Sequence, residues 1–239
     1  MRIHRSFALV LCCTVFLSAC ASNPRQALHA EAKPHVKRIA LFQVEEPKRY
    51  LAEPEQLTAG YLFYALGTLG SVIRAGIETL RYSAATERLH AALQPHQPRL
   101  ADQFEVQLKS QLRAKGYQVD LINPPPKSRT GEGYDLRDIA AKYDAFLTVD
   151  MMAGFVEHDG LSSPHVQVHA TLLASPTSDV LMKSPYVYTS RDIQNVPRIA
   201  SSQLHALPAL DDVASHPEKA VNGLREGARQ VAQLLAADL

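Results

Sequence analysis

Glu157, His158, Asp159, His165 and His169 crowd one stretch of this chain, where imidazoles and carboxylates gather densely enough to suggest a metal or acid–base site. If residues 165–173 form a strand, His165, Gln167 and His169 share a face. His165 and His169 then stand roughly 13 Å apart, at about 3.3 Å per residue. Ligands of a zinc-type ion sit about 2 Å from the metal, so these two cannot share one. His158 across a turn from His165 is geometrically feasible. That pair is the sole motive for reading an envelope hydrolase or metalloenzyme, and solvent-facing hairpin residues are the expectation.

Other chemistry is thinner still. Ser162-Ser163 lies near His165 without a Gly-x-Ser-x-Gly elbow, and phosphate-loop and His-Glu-x-x-His patterns do not occur. Gly131-Glu132-Gly133 lacks the third glycine and the preceding strand that a dinucleotide loop needs. No enzyme, cofactor or metal is expected. Tyr186 and Tyr188 alternate on one strand face, and Tyr61 and Tyr64 lie on an uncharged helix. Such rings suit an interface or a half-buried face equally.

The remaining reactive residue is Cys20. Met1-Arg2-Ile3-His4-Arg5 is a short basic start, and Phe7 to Leu17 is an apolar run too short to span a bilayer. Leu17-Ser18-Ala19-Cys20 then resembles the lipobox of bacterial lipoproteins. The resemblance implies diacylglycerol on the Cys20 sulfur, cleavage after Ala19, and a further acyl chain, such as palmitate, on the new amino terminus. Each buried methylene contributes about 0.8 kcal/mol, so several chains hold a protein durably where one does not. In that family Asp after the cysteine retains the protein in the inner membrane. Ala21 and Ser22 follow here, so the expectation is the outer membrane, lipid-anchored, at its periplasmic face.

Cleavage removes Arg2 and Arg5 and moves the formal charge of the 239-residue chain from +1 to −1. A near-neutral body argues against nucleic acid as a partner. Cys12 and Cys13 leave with residues 1–19 and Cys20 is acylated, so no disulfide remains and the core alone must hold the fold. Residues 20–36, polar and punctuated by Pro24 and Pro34, read as a lipidated flexible tether. Residues 37–239 suit a single periplasmic domain.

The elements that must carry these residues follow from periodicity. Lys37 to Val44 is a near-continuous apolar run, the mark of a strand buried on both faces, stopped by Glu45-Glu46-Pro47. A helical insertion, 56–94, comes next. Gln56 to Ile73 has 18 consecutive residues without a formal charge. Leu62, Leu66, Leu69 and Ile73 line one helical face, with Gly60 and Gly67 roughly opposite. Each interior glycine costs about 1 kcal/mol against alanine. The segment is therefore either a closely packed core helix or a contact face for a partner, a second copy or the bilayer. Thr79 to Leu93 continues as a helix with Leu89 and Leu93 as anchors, ended by Pro95 and Pro98.

Phe104, Leu108 and Leu112 define a helix stopping at Gly116, and Tyr117 to Ile122 alternates as a strand. A loop follows, with a short helix expected from Asp135 and Asp138. Ala145 toward Val156 is a buried strand, 158–164 a turn, His165 to Leu173 a strand, and 175–179 a turn. Val180 to Thr189 is the last strand, with Pro185 favouring an edge or bulge. Residues 191–214 are irregular. Ser215-His216-Pro217-Glu218 has capping-box spacing before a helix lined by Val221, Leu224, Ala228, Val231 and Leu235.

The fold expected is mixed α/β: one mixed sheet of about five strands, flanking helices, and the helical insertion after the first strand. This element order, with Tyr143-Asp144-Ala145-Phe146-Leu147 entering the strand meander, resembles the α/β domain of curli-export-type lipoproteins and the TolB amino-terminal domain. The resemblance implies assembly and protein contact without catalysis. The functional expectation is a non-catalytic accessory or export-system subunit of the envelope, with a protein partner or self-association. A periplasmic small-molecule or lipid carrier is the alternative.

Overall fold

Ile39, Ala40, Leu41 and Phe42 are all buried in the first strand, β1 (Arg38–Phe42), so the apolar run is covered on both faces as its sequence requires. The computed structural model describes residues 25–28, 31, 35–53, 78–126 and 134–239. β2 (Tyr50–Glu53), α1 (Glu78–Leu93), α2 (Leu100–Ala114), β3 (Gln118–Ile122) and β4 (Ala145–His158) follow. β5 (Leu161–Ala174), β6 (Val180–Thr189), β7 (Arg198–Ala200) and α3 (Pro217–Asp238) complete the order.

The architecture is mixed α/β, with one seven-stranded mixed sheet in the order β3-β1-β4-β5-β6-β7. β4, β5 and β6 form an antiparallel meander, while β3 and β1 are parallel to each other and β1 to β4. β4 is long enough to serve two partners on one flank. Ile39 to Leu41 of β1 pair with its start, and Tyr50 to Glu53 of β2 pair with Ala153 to Val156 near its end.

The three helices cover one face. Phe104, Leu108 and Leu112 of α2, Leu89 and Leu93 of α1, and Val221, Leu224, Ala228, Val231 and Leu235 of α3 join Ile39, Leu41, Leu147, Phe155, Val166 and Tyr186 in the main core. The i, i+3/i+4 spacing of α3 is what delivers one continuous apolar stripe to the sheet. Gly227 lets α3 approach closely, since a Cβ there would lie 2.7 Å from the Tyr188 ring. A smaller cluster of Ala40, Phe42, Leu136 and Phe146, edged by Tyr134 and Tyr143, covers the other face near β1.

Several local expectations are corrected. The five expected strands are all present, and β2 and β7, only four and three residues long, bring the sheet to seven. The turn after His158 is only Asp159-Gly160, and β5 begins at Leu161, carrying Pro164 where β4 alone of the long strands pairs with it. The Asp135 region gives only a 3-10 turn, Ala140–Lys142, and the Asp135 carboxylate accepts from Arg137 Nε at 2.8 Å. α3 starts at Pro217 with His216 at the N-cap and no side-chain cap, so Ser215 closes no capping box. Pro217, whose fixed φ suits the first helical position, sets that start instead. Pro185 does sit off the β7 pairing, which begins at Val187.

Within the stretch expected as a tether, Arg25–Leu28 are packed on the domain. Gln26 forms an antiparallel bridge with Lys183 of β6, its N–H donating to the Lys183 carbonyl at 2.8 Å and its carbonyl accepting at 2.9 Å. Leu28 is buried in the main core.

Candidate functional site

The carboxyl end of β1, the amino end of α2, the carboxyl end of α1 and the start of β2 meet around a cleft of about 670 Å3. Gln43, Glu45, Glu46, Tyr50, His90 and Arg99 line it. β1 has β3 on one side and β4 on the other, so the cleft lies outside the strand ends where the sheet order diverges. Open α/β sheets place their ligands at such points.

The polar groups of this cleft are held by the fold. α2 has no cap of its own, because its N-cap residue, Arg99, is in the left-handed region with φ 52° and offers no side-chain bond. Glu46 supplies the cap from β1's exit: its carboxylate accepts from Leu100 N at 2.9 Å and from Ala101 N at 2.8 Å. The positive end of a helix favours such a charge. Tyr50 Oη donates to the same carboxylate at 3.2 Å, and burial first, then the Glu46 charge, pushes its phenol well above the usual range. The Tyr50 ring packs on His90 with centroids 5.8 Å apart. Glu105 accepts from Val44 N at 2.6 Å, and burial raises its carboxyl above the ordinary value. Arg225 of α3 donates to the Pro98 carbonyl at 2.8 Å, fixing the α1–α2 connection.

Chemically, the seat an anion would take at α2 is filled by the chain's own Glu46. What remains open is a mostly apolar groove edged by Gln43, Glu45, His90 and Arg99, suited to a neutral small molecule. A second cleft of about 700 Å3 lies beside the start of β4, lined by His35, Arg137, Tyr143, Asp144 and Ser175. Asp144 there accepts from Lys37 N at 2.9 Å and Arg38 N at 2.8 Å.

Ser162, Ser163, His165 and Gln167 of the β4–β5 hairpin are buried, while His158 and Asp159 at its turn face solvent. His165 is 2% exposed, and burial first, then the Arg191 charge, pulls its pKa down to about 3, leaving a neutral imidazole. This corrects the solvent-facing expectation for that residue. Beside it Arg191 forms a buried ion pair with Glu53 and donates to the Glu157 carbonyl at 2.8 Å. Burial raises the Glu53 carboxyl against the pull of Arg191. Gly154, paired opposite His165, admits the β2 backbone: a Cβ would fall on the Leu51 carbonyl oxygen and 2.6 Å from Leu51 N.

The register does not join His158 to His165. His158 pairs with Leu161 and His165 with Gly154, so they stand four residues apart along β4, about 13 Å. Gln167 Nε2 lies 2.6 Å from His169 Nε2, and among the described residues no group of three His, Cys, Asp or Glu could hold a metal. Ser162 is on the helix-covered face and His165 on the other. Tyr186 and Tyr188 share a face as expected, but it is the helix face. Both are buried, with Tyr186 Oη donating to Asp238 at 2.9 Å and Tyr188 Oη accepting from Ser202 N at 2.9 Å. They are core residues rather than contact residues.

Ala19, Cys20, Gly60, Tyr61, Leu62, Tyr64, Leu66, Gly67, Leu69, Ile73 and the Gly131-Glu132-Gly133 stretch lie outside the described residues. Sequence reasoning missed Glu46 as a cleft residue and Glu105 as the buried carboxylate that holds Val44 of its wall. A carboxylate three to four residues past a buried strand, ahead of a helix lacking its own cap, was the available signal.

No family model matches the chain, and no curated protein matches it. Solved structures do. A DUF330-family protein from Xanthomonas campestris is 14% identical over 90% of each chain, with a TM-score of 0.40. The PelC dodecamer from Paraburkholderia phytofirmans is 11% identical over 91% of this chain and 95% of that one, with a TM-score of 0.34. A lipoprotein from Neisseria meningitidis is 13% identical over 63% of this chain and 81% of that one, at 0.27. Likenesses this distant assign no activity or partner to the chain. Among the described residues no helix is long and apolar enough to cross a membrane.

Proposed function

We propose that this protein is a lipid-anchored lipoprotein of the bacterial outer membrane, acting without catalysis through protein contacts in the envelope, as an accessory or export-system subunit. The observation that carries the reading is Leu17-Ser18-Ala19-Cys20 after a basic start and a short apolar run. The geometry supports it in two ways. The titratable groups at the cleft and in the hairpin hold the fold: Glu46 caps α2, Glu105 ties β1 to α2, and Glu53 and Arg191 are paired inside. Among the described residues β3 has a strand neighbour on one side only and carries an exposed Leu121, a surface on which a partner strand can pair. The element-order resemblance to curli-export-type lipoproteins and TolB belongs to the same reading.

The test is made in intact cells. Cys20→Ala should shift the protein from the membrane to the soluble periplasmic fraction, and a photo-crosslinking residue at position 121 should trap a defined partner or a second copy. A native protein without acyl chains, or a body that stays monomeric and partnerless, overturns it.

The 670 Å3 cleft favours one second reading, a carrier of a neutral small molecule. Native mass spectrometry of freshly isolated protein with no bound ligand argues against it.

A further inference from the structure

The Arg25–Leu28 contacts decide how the domain stands on its membrane. Three independent contacts pin this stretch at the outer side of β6. Gln26 pairs with Lys183 through both backbone groups, and Gln26 Nε2 donates to the Val180 carbonyl at 3.0 Å. Arg25 reaches the carboxyl end of α3, with Nη2 2.7 Å from Asp238 Oδ2, the atom that also accepts from the buried Tyr186. Leu28 inserts into the core. This is a single antiparallel β-bridge made by the chain's own amino-terminal segment, and its two backbone bonds, side-chain amide and apolar plug act together.

We infer that Arg25–Leu28 is a docking segment that seats the β6–β7 side of the sheet against the lipid surface and turns the β3 edge and the Glu46 cleft away from it. The inference rests on the proposed acylation of Cys20. A free tether from residue 20 to 36 would let the domain range to about 58 Å, at up to 3.6 Å per residue. With Arg25 fixed, only five steps remain, a reach of at most about 18 Å. The sheet from β6 to β3 is itself four strand spacings wide, about 19 Å. The anchor is therefore too short to let the body turn its opposite edge to the bilayer. The occupant of this side is a lipid surface because the chain that runs from Arg25 back to Cys20 carries the proposed acyl group.

Val180 beside the docking segment and Leu121 on β3 offer matched reporters, being 41% and 40% exposed. The mature chain has no other thiol once Cys20 is acylated, so Val180→Cys and Leu121→Cys can each be labelled singly. The lipidated protein is reconstituted in phosphatidylethanolamine/phosphatidylglycerol vesicles bearing a headgroup quencher. The label at 180 should be quenched several-fold more than the label at 121. A Gly/Ser insertion of about ten residues between Cys20 and Arg25 should bring the two together. Equal quenching in acylated protein without the insertion overturns the seating while leaving the lipoprotein reading intact. Mass spectrometry showing a bare Cys20 overturns both. Amide exchange in the lipid-free body reads the docking segment itself: Gln26 and Lys183 should be protected, and rapid exchange at both overturns it.

Discussion

Glu46 caps a helix that begins 54 residues downstream, its Oε1 accepting the Leu100 amide at 2.9 Å. Because Arg99 provides no cap, this bond and its neighbour from Ala101 are what satisfy the start of α2. Glu46→Ala should cost about 1 kcal/mol, the usual value of an N-cap, read as a lowered urea midpoint with an unchanged slope. An unaltered midpoint would show that water replaces the carboxylate at no cost.

Gly154 is required by the approach of β2 rather than by its backbone angles. Gly154→Ala places a methyl on the Leu51 carbonyl, a rigid backbone atom, so β2 must shift or detach. The expected loss is about 3 kcal/mol or more, at the upper end of overpacking effects. Amide exchange should localise it to residues 50–53 and 153–156. Uniform exchange across the sheet would contradict a local displacement.

The buried ion pair is strongly coupled. Arg191→Met leaves Glu53 buried without its cation and should destabilise by about 3–5 kcal/mol. The loss should be smaller at acidic pH, because burial already favours the protonated Glu53 carboxyl. The double variant Glu53→Gln/Arg191→Met should recover much of it. Losses that simply add in a double-mutant cycle would remove the coupling.

His165 makes the fold acid-sensitive. Its folded pKa lies near 3, below the ordinary 6.5, so its contribution is present above pH 6.5 and declines as pH falls toward 3. At about 1.4 kcal/mol per unit, stability should drop by roughly 2 kcal/mol between pH 7.5 and 5, and His165→Gln should flatten that slope. Asp144 acts lower. Burial disfavours its charge, but the Arg38 and Lys37 amides and the Arg38 guanidinium outweigh this and hold the carboxyl below the usual range. Its stabilisation is present above about pH 3.9 and is lost as pH falls through the folded value. Asp144→Asn should therefore remove part of the acid limb alone.

Long periodic elements were legible in the sequence. The double-sided apolar run of β1, the stripe of α2 through Phe104, Leu108 and Leu112, and that of α3 all lie where spacing puts them, because each buries a full face. β2 and β7 were not, since four and three residues carry no period. The hairpin misled in the opposite sense. Alternating His165, Gln167 and His169 is the pattern of a solvated face, yet His165 and Gln167 are buried. Nothing in local spacing announces that Arg191 and Glu53 will converge on it. Likewise Arg25 to Leu28 has a linker's composition and gains its place only from the stretch of β6 around Lys183 that β7 does not reach.

β1 is the first strand to be made, but both its neighbours, β3 and β4, come from much later in the chain: Ile39 pairs with Val119 and with Ala145. The centre of the sheet cannot close until the second half has emerged, and such non-local pairing is slow. The nascent polypeptide therefore stays open through most of its synthesis, a threadable state of the kind the export proposed above requires.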